Sequence, residues 1–402
     1  MARGTTIAEQ IQDLVASRSA IVEALKEKGV TVPDGAKFED LASLADTIDL
    51  EASLRALWET DRFTATSVVI PSGVTKIGSG ALSNCESLVS VNIPAGVVSI
   101  GRYAFSGCLK IATISLPNSL RTIGERAFTE CQNLTSVDIP NGVTDIGEYA
   151  FYHCFNLVEI SLPNNLESLG RYAFSDCQSL KHLVIPSSVK SIADYAFYGC
   201  NALTSLTLQD GLTSIGSNAF YECNALTRLV IPDGVSRIGE NSFRDCKSMA
   251  NLTLPESLTF IGGRAFFNCT SLVSLSIPSK ITRIERDVFY NCPALEKLDL
   301  PNGLTYIGDY ALSELHSLKS LSIPEGVTYI GLSAFYRCKT LANLSLPSTI
   351  STMQSQALYN CPSSCDIKFN KTMAKVQGLA NYPWGINSGA VIHCTDGDLT
   401  IT

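Results

Sequence analysis

The residues with the widest chemical reach in this chain are its 14 cysteines and 4 histidines. Twelve of the cysteines keep one spacing: Cys85, Cys108, Cys131, Cys154, Cys177, Cys200, Cys223, Cys246, Cys269, Cys292, Cys338 and Cys361 lie 23 residues apart, with one skipped slot at Leu315. Thiols in such a row offer disulfide pairing, metal ligation or nucleophilic attack. A leucine in the row marks the place as apolar and inward, where a thiol behaves as a small hydrophobe. Stacked units would bring neighbouring Cα atoms to about 5 Å, within disulfide reach. Side chains in register nevertheless run parallel, and Leu315 would strand a partner, so free thiols are expected, which favours folding in a reducing compartment. Cys361, Cys365, His393 and Cys394 could be drawn around zinc, but C-x-x-x-C followed by H-C matches no usual finger spacing, and no metal is expected. His153, His182, His316 and His393 fall in different places, so none is set beside a nucleophile. With no G-x-S-x-G, P-loop or dinucleotide fingerprint, neither an enzyme nor a cofactor is expected.

What positions the cysteines is a repeat of 23 residues, clearest in Pro140 to Leu162. Prolines stand at 71, 94, 117, 140, 163, 186, 232, 255, 278, 301, 324 and 347, with Gln209 in the one vacant slot. Taking the proline as place 1, the cysteine is place 15. A period of 20 to 50 residues signals a solenoid, whose units bury their apolar faces only by stacking. In Leu157-Val158-Glu159-Ile160-Ser161-Leu162 the alternation predicts a strand with Ile160 and Leu162 inward and Glu159 and Ser161 outward. Pro163 ends it. Place 3 is often glycine, as in Gly142, but also Ser119, Asn165 or Ser188, so positive φ is favoured there without being obligatory. Ile146-Gly147 and Ala150-Phe151 supply a second apolar layer, and Glu148-Tyr149-Ala150-Phe151 is short enough for a single helical turn.

The string L-x-x-I-x-I-P-x-x-V-x-x-I-G-x-x-A-F-x-x-C resembles the BspA-like leucine-rich repeat family, over about Val68 to Phe369. The resemblance implies an α/β-type solenoid of about 13 coils across 67–370, curved, with a parallel sheet on its concave face. It also implies a surface protein of bacterial, protozoan or phage origin that binds proteins or glycans, without naming a ligand, because the shared pattern consists of core positions.

The two ends depart from the period. In residues 1–66, Ile7, Ile11, Leu14, Ile21 and Leu25 predict an amphipathic helix ended by Gly29, and Phe38, Leu41, Leu44, Ile48, Leu54 and Leu57 predict a second. They fit either a cap over the first coil or a short oligomerising coil, which makes a homo-oligomer conceivable. The stretch Ile21 to Ala45 resembles a helical segment of bacteriophage tail and fibre proteins, which implies a virion component attached to other virion proteins through residues 1–66. At the other end, Trp384 supplies a large aromatic, and Asp396-Gly397 between Val391-Ile392-His393-Cys394 and Leu399-Thr400-Ile401-Thr402 predicts a β-hairpin, so 371–402 reads as a cap.

Composition narrows the partners. The net charge is −8 and no basic stripe runs along the repeats, so nucleic acid is not expected. No apolar run is long enough to span a membrane, and Glu9, Asp13, Glu23, Lys26 and Glu27 do not read as a secretory leader. The sequence reading therefore places a non-catalytic virion protein, tail-associated or host-recognising, ahead of a BspA-like bacterial adhesin, with a protein or glycan of a cell surface as its ligand. Small hydroxyls dominate the outward strand positions. The exceptions, Glu159, His182, Val184, Arg228 and Val230, mark one candidate site on the expected concave face. Tyr149, Tyr172 and Tyr195 in one place, with Tyr198 and Tyr221 in another, mark a rival edge, since tyrosine joins apolar area to a polar tip.

Overall fold

The structure is a computed structural model and describes residues 64–70 and 72–402. Both expected N-terminal helices lie outside the described residues. From there the chain winds as a solenoid in which every coil contributes the same three sides.

The first side is the predicted strand, present fourteen times from Ser67–Val69 to Asp366–Phe369. Neighbours pair in parallel, one period apart: Ser136 with Glu159, Val137 with Ile160, Asp138 with Ser161. Val137 is buried between exposed Ser136 and Asp138, as the alternation requires. The second side is a strand of two residues, such as Thr122–Ile123, paired with Asp145–Ile146 and present thirteen times. Its first residue faces out and its second, Ile123 or Ile146, is buried.

The third side, from Gly147 to Cys154, is not the helical turn that Ala150-Phe151 led us to expect. Its amides alternate in direction. Tyr149, Phe151 and His153 donate to the carbonyls of Arg171, Ala173 and Ser175 in the next coil, at 2.9, 2.7 and 3.0 Å. Ala150, Tyr152 and Cys154 donate three residues back, to Gly147, Tyr149 and Phe151. A helix would keep all its amides for itself, whereas this run gives every second one to its neighbour and so zips the coils together. The geometry needs left-handed residues at places 10 and 14, here Tyr149 (φ 56°) and His153 (φ 59°). The α/β-type description therefore gives way to a β-solenoid: among the described residues the one α-helix is Met373–Gln377. No helix among them is long and apolar enough to cross a membrane.

Two columns hold the interior together. Phe105 to Phe289 form an unbroken stack at place 12, with ring centroids 5.1 to 5.8 Å apart. The small Ala at place 11, buried in each case from Ala104 to Ala219, lets that run lie close to the core. Each cysteine from Cys108 onward in the row donates its thiol to the place-12 carbonyl of the preceding coil, as Cys154 Sγ does to Phe128 O at 3.2 Å and Cys177 Sγ to Phe151 O at 3.4 Å. These carbonyls already accept the cysteine amide of their own coil, as Phe128 O does from Cys131 N at 3.2 Å, so the thiol of the next coil fills the second lone pair and is itself a satisfied buried donor. No disulfide joins the cysteines, and burial pushes up the thiols from Cys108 to Cys292, Cys292 to about 12.

Place 8 is glycine in most coils, with Ala193, Glu285 and Gln354 as the exceptions. At Gly147 a Cβ would lie 2.6 Å from Glu125 N and from Gly124 C, so there the approach of successive coils excludes it. At place 3 positive φ occurs at Gly73, Gly211 and Gly234.

The C-terminal end closes the stack. Val391–Cys394 adds in parallel to Asp366–Phe369, pairing Ile367 with Ile392, and turns through Asp396-Gly397 into the antiparallel strand Gly397–Thr400. Trp384, 1% exposed, packs 6.2 Å from the Phe369 ring and donates Nε1–H to Ala380 O.

Candidate functional site

The register brings all five predicted strand residues onto one face. Glu159 and His182 are direct cross-strand neighbours, Val184 pairs with Thr207, and Arg228 and Val230 pair with Asn251 and Thr253. With Ser205 and Thr207 filling the coil between, they occupy four consecutive coils, roughly 14 Å along the axis at strand spacing. Val184 and Val230 are 50% and 48% exposed, which for branched aliphatics on an otherwise hydroxylated sheet is an apolar island. Beside it opens a cleft of about 760 Å³, floored by Thr207, Arg228 and Val230 and walled by Asp210, Asp233 and Glu256. The three acids occupy place 2 in consecutive coils. Glu256 accepts from Ser279 Oγ at 2.8 Å and Ser279 N at 3.1 Å, and these bonds hold its carboxyl below the usual range. One cation, two valines, several hydroxyls and an acidic wall suit a polar ligand with both donors and acceptors.

The predicted tyrosines also come together. Tyr149, Tyr172 and Tyr195 stack at 4.6 and 4.4 Å, Tyr195 meets Tyr198 at 6.0 Å, and Tyr198 stacks on Tyr221 at 4.9 Å. The row thus shifts from place 10 to place 13 without a break. Burial pushes the phenols of Tyr172, Tyr198 and Tyr221 above the usual tyrosine value, so they stay protonated donors at neutral pH. Their faces are covered by one another; edges and hydroxyls are what a partner would meet.

Sequence reasoning missed the arginines that extend this row. Arg126 lies over Tyr149 at 4.4 Å and Tyr103 at 5.4 Å, and donates to the Tyr103 hydroxyl at 2.9 Å. Arg244 lies between Tyr221 and Phe267, at 5.3 and 4.5 Å. Both occupy the tyrosine places in their own coils, and a guanidinium plate stacks where a ring would. Aligning the repeats column by column shows them.

The histidines serve local pairs. His153 stacks on Tyr152 at 3.7 Å, His316 Nε2 bonds Glu314 Oε2 at 2.8 Å, and His393 Nδ1 bonds Asp398 Oδ1 at 2.8 Å. Cys361 gives its thiol to Phe335 O, and no group of three potential ligands converges among the described residues.

Taken together, a parallel strand ladder, an apolar interior that repeats from coil to coil and a variable outward face define a leucine-rich repeat solenoid. Three overlapping stretches, residues 61–181, 168–296 and 282–383, match the BspA type leucine rich repeat region, and the chain belongs to that family. A leucine-rich repeat protein from Bacteroides ovatus ATCC 8483 is 30% identical, over 83% of this chain and 85% of its own, with a TM-score of 0.75. A leucine rich cell surface protein from Faecalibacterium prausnitzii A2-165 is 27% identical over 79% of this chain and 91% of its own, with a TM-score of 0.48. No curated protein matches the sequence.

Proposed function

We propose that this chain is a non-catalytic recognition protein of the bacterial cell surface, a BspA-type adhesin that binds a protein or glycan. The observation that carries the reading is the division of labour within each coil. Core places repeat with few changes, while the strand face varies: beside isolated departures such as Asp138 and the Lys297–Asp299 ion pair, Glu159, His182, Val184, Arg228 and Val230 fall within four consecutive coils and include two exposed valines. A face that varies over a core that repeats is what selection for a ligand leaves on a scaffold. The stacked tyrosines from Tyr149 to Tyr221 form the rival surface.

The virion reading draws on residues 21–45, outside the described residues, and family membership favours the adhesin over it. Two measurements test the proposal. Protease treatment of intact producing cells is expected to release peptides of residues 67–370, and their absence from the shaved fraction would refute surface display. The full chain is expected to bind one member of a panel of glycans and extracellular matrix proteins, with Arg228→Glu and Val230→Asp abolishing binding. Unchanged binding in both variants would move the site to the tyrosine row.

A further inference from the structure

The short-strand ladder carries another ordered surface, distinct from both faces above. Its outward position, place 6, holds small or singly charged residues through the first seven coils, ending in Ser168, Ser191 and Ser214. The next five coils hold Arg237, Phe260, Arg283, Tyr306 and Tyr329. Register pairs Arg237 with Phe260, Arg283 with Tyr306, and Tyr306 with Tyr329. The guanidinium of Arg237 lies 4.0 Å from the Phe260 centroid, that of Arg283 lies 3.7 Å from Tyr306, and Tyr306 stacks on Tyr329 at 4.8 Å. The serine-bearing coils build the same ladder, as Ser191 with Ser214 shows, so the stack does not need these rings.

The neighbours of this strip are as regular as the strip itself. On one side, at place 5, runs a column of hydroxyls in which Thr259 donates to Ser236 O and Thr305 to Thr282 O, both at 3.0 Å. On the other, at place 8, Gly239, Gly262, Gly308 and Gly331 are bare, and only the middle coil carries a side chain there, Glu285. The strip runs over a length of roughly 20 Å at strand spacing, with Arg237 and Arg283 exposed and the three rings half-buried. Arg283 shares its Nε with Glu285 Oε1 at 2.9 Å, and among the described residues no carboxylate is ion-paired with exposed Arg237. Arg237 and Arg283 thus hold stacked guanidinium faces with edges open to a ligand, Arg283 sharing one of its donors with Glu285.

We propose that this strip binds an acidic polysaccharide, with carboxylates on the edges of Arg237 and Arg283 and the sugar chain lying along the ring edges and the hydroxyl column. The two guanidiniums are two coils, about 10 Å, apart. A pyranose advances its chain by about one coil, so carboxylates on alternate sugars meet both. An extended acidic peptide covers about 10 Å in three residues, and its third side chain points to the opposite face, which sets its charges out of step.

The test uses the full chain and polygalacturonate as probe, with dextran and poly-L-glutamate as controls, read by calorimetry. Saturable binding to polygalacturonate that weakens with salt is expected, with little to either control. The double substitution Arg237→Gln and Arg283→Gln is expected to weaken it by about ten-fold or more, since charge-assisted bonds are lost. Phe260→Ser with Tyr306→Ser, residues native to this place in other coils, is expected to weaken it with the fold intact by circular dichroism. Arg228→Gln on the strand face is expected to leave it unchanged, which separates this strip from the adhesin site. Absence of binding to polygalacturonate, unchanged affinity in the double glutamine variant, or equal binding of poly-L-glutamate or dextran would each overturn the proposal.

Discussion

Truncating Phe197 to alanine tests the energetics of the stack where it is most continuous. The ring is fully buried and lies 5.4 Å from both Phe174 and Phe220. The three residues are pinned by inter-coil amides, Phe174 N to Ala196 O at 2.8 Å, Phe197 N to Ala219 O at 2.9 Å and Phe220 N to Ser242 O at 2.8 Å, so neither neighbour can follow the vanished ring. A cavity that cannot collapse places Phe197→Ala in the range of about 3–5 kcal/mol. About 4 kcal/mol is a factor of roughly a thousand in a local opening constant. Because each coil of a solenoid contacts only its neighbours, the loss should be local, and hydrogen exchange of the amides around 174–220 is the appropriate assay. Protection there is expected to fall by about that factor, with far smaller changes several coils away. Phe197→Leu supplies the control: Leu312 and Leu358 already occupy this column, fully buried, and the exchange should cost under about 1.5 kcal/mol. Equal effects of alanine and leucine, or an even loss of protection over all coils, would refute the reasoning.

Further predictions follow from the thiols and the glycines. In the native protein Ellman's reagent is expected to react quickly with Cys394, the half-buried one, and with all 14 cysteines only after denaturation; rapid reaction of several thiols in the native state would contradict the buried row. The thiols ionise near 9 when unfolded and well above that when buried, so the unfolded chain releases protons first as pH rises. Stability should be level below about pH 9 and fall steeply above it, toward 12 for Cys292, by up to about 1.4 kcal/mol per pH unit for each titrating thiol; a melting temperature flat from pH 8 to 11 would refute this. A Cβ at position 239 would meet Ser217 N at 2.6 Å, so Gly239→Val should cost about 1–3 kcal/mol by overpacking, whereas a stability unchanged in urea titration would show that the coils part easily.

The register of this molecule was legible because proline, cysteine, alanine and phenylalanine each return to one place, and a side chain can recur so strictly only if its surroundings do. The closing hairpin was equally plain from Asp396-Gly397. The third side of the coil was not. Ala150-Phe151 reads as helical, and the left-handed residues that forbid a helix are Tyr149 and His153, not the glycines that usually announce positive φ. Tertiary pairing with the next coil overrides local preference there. Of the candidate surfaces, the strand-face group and the five tyrosines could be chosen from sequence because they break a pattern of small hydroxyls or repeat a ring. Arg126, Arg244 and Arg237 stayed hidden because an arginine among aromatics looks like an interruption until the coils are laid one upon another.

An anomalous difference map recorded at the sulfur edge of crystals of the full chain tests the central claim most directly. Among the 14 cysteine and 4 methionine sulfurs the account predicts one row of twelve peaks, spaced about 5 Å at strand spacing and broken once at Leu315, with no peaks paired at disulfide length and the remaining sulfurs off the row. Peaks coupled at about 2 Å, the length of a disulfide, or scattered without a common axis, would contradict it.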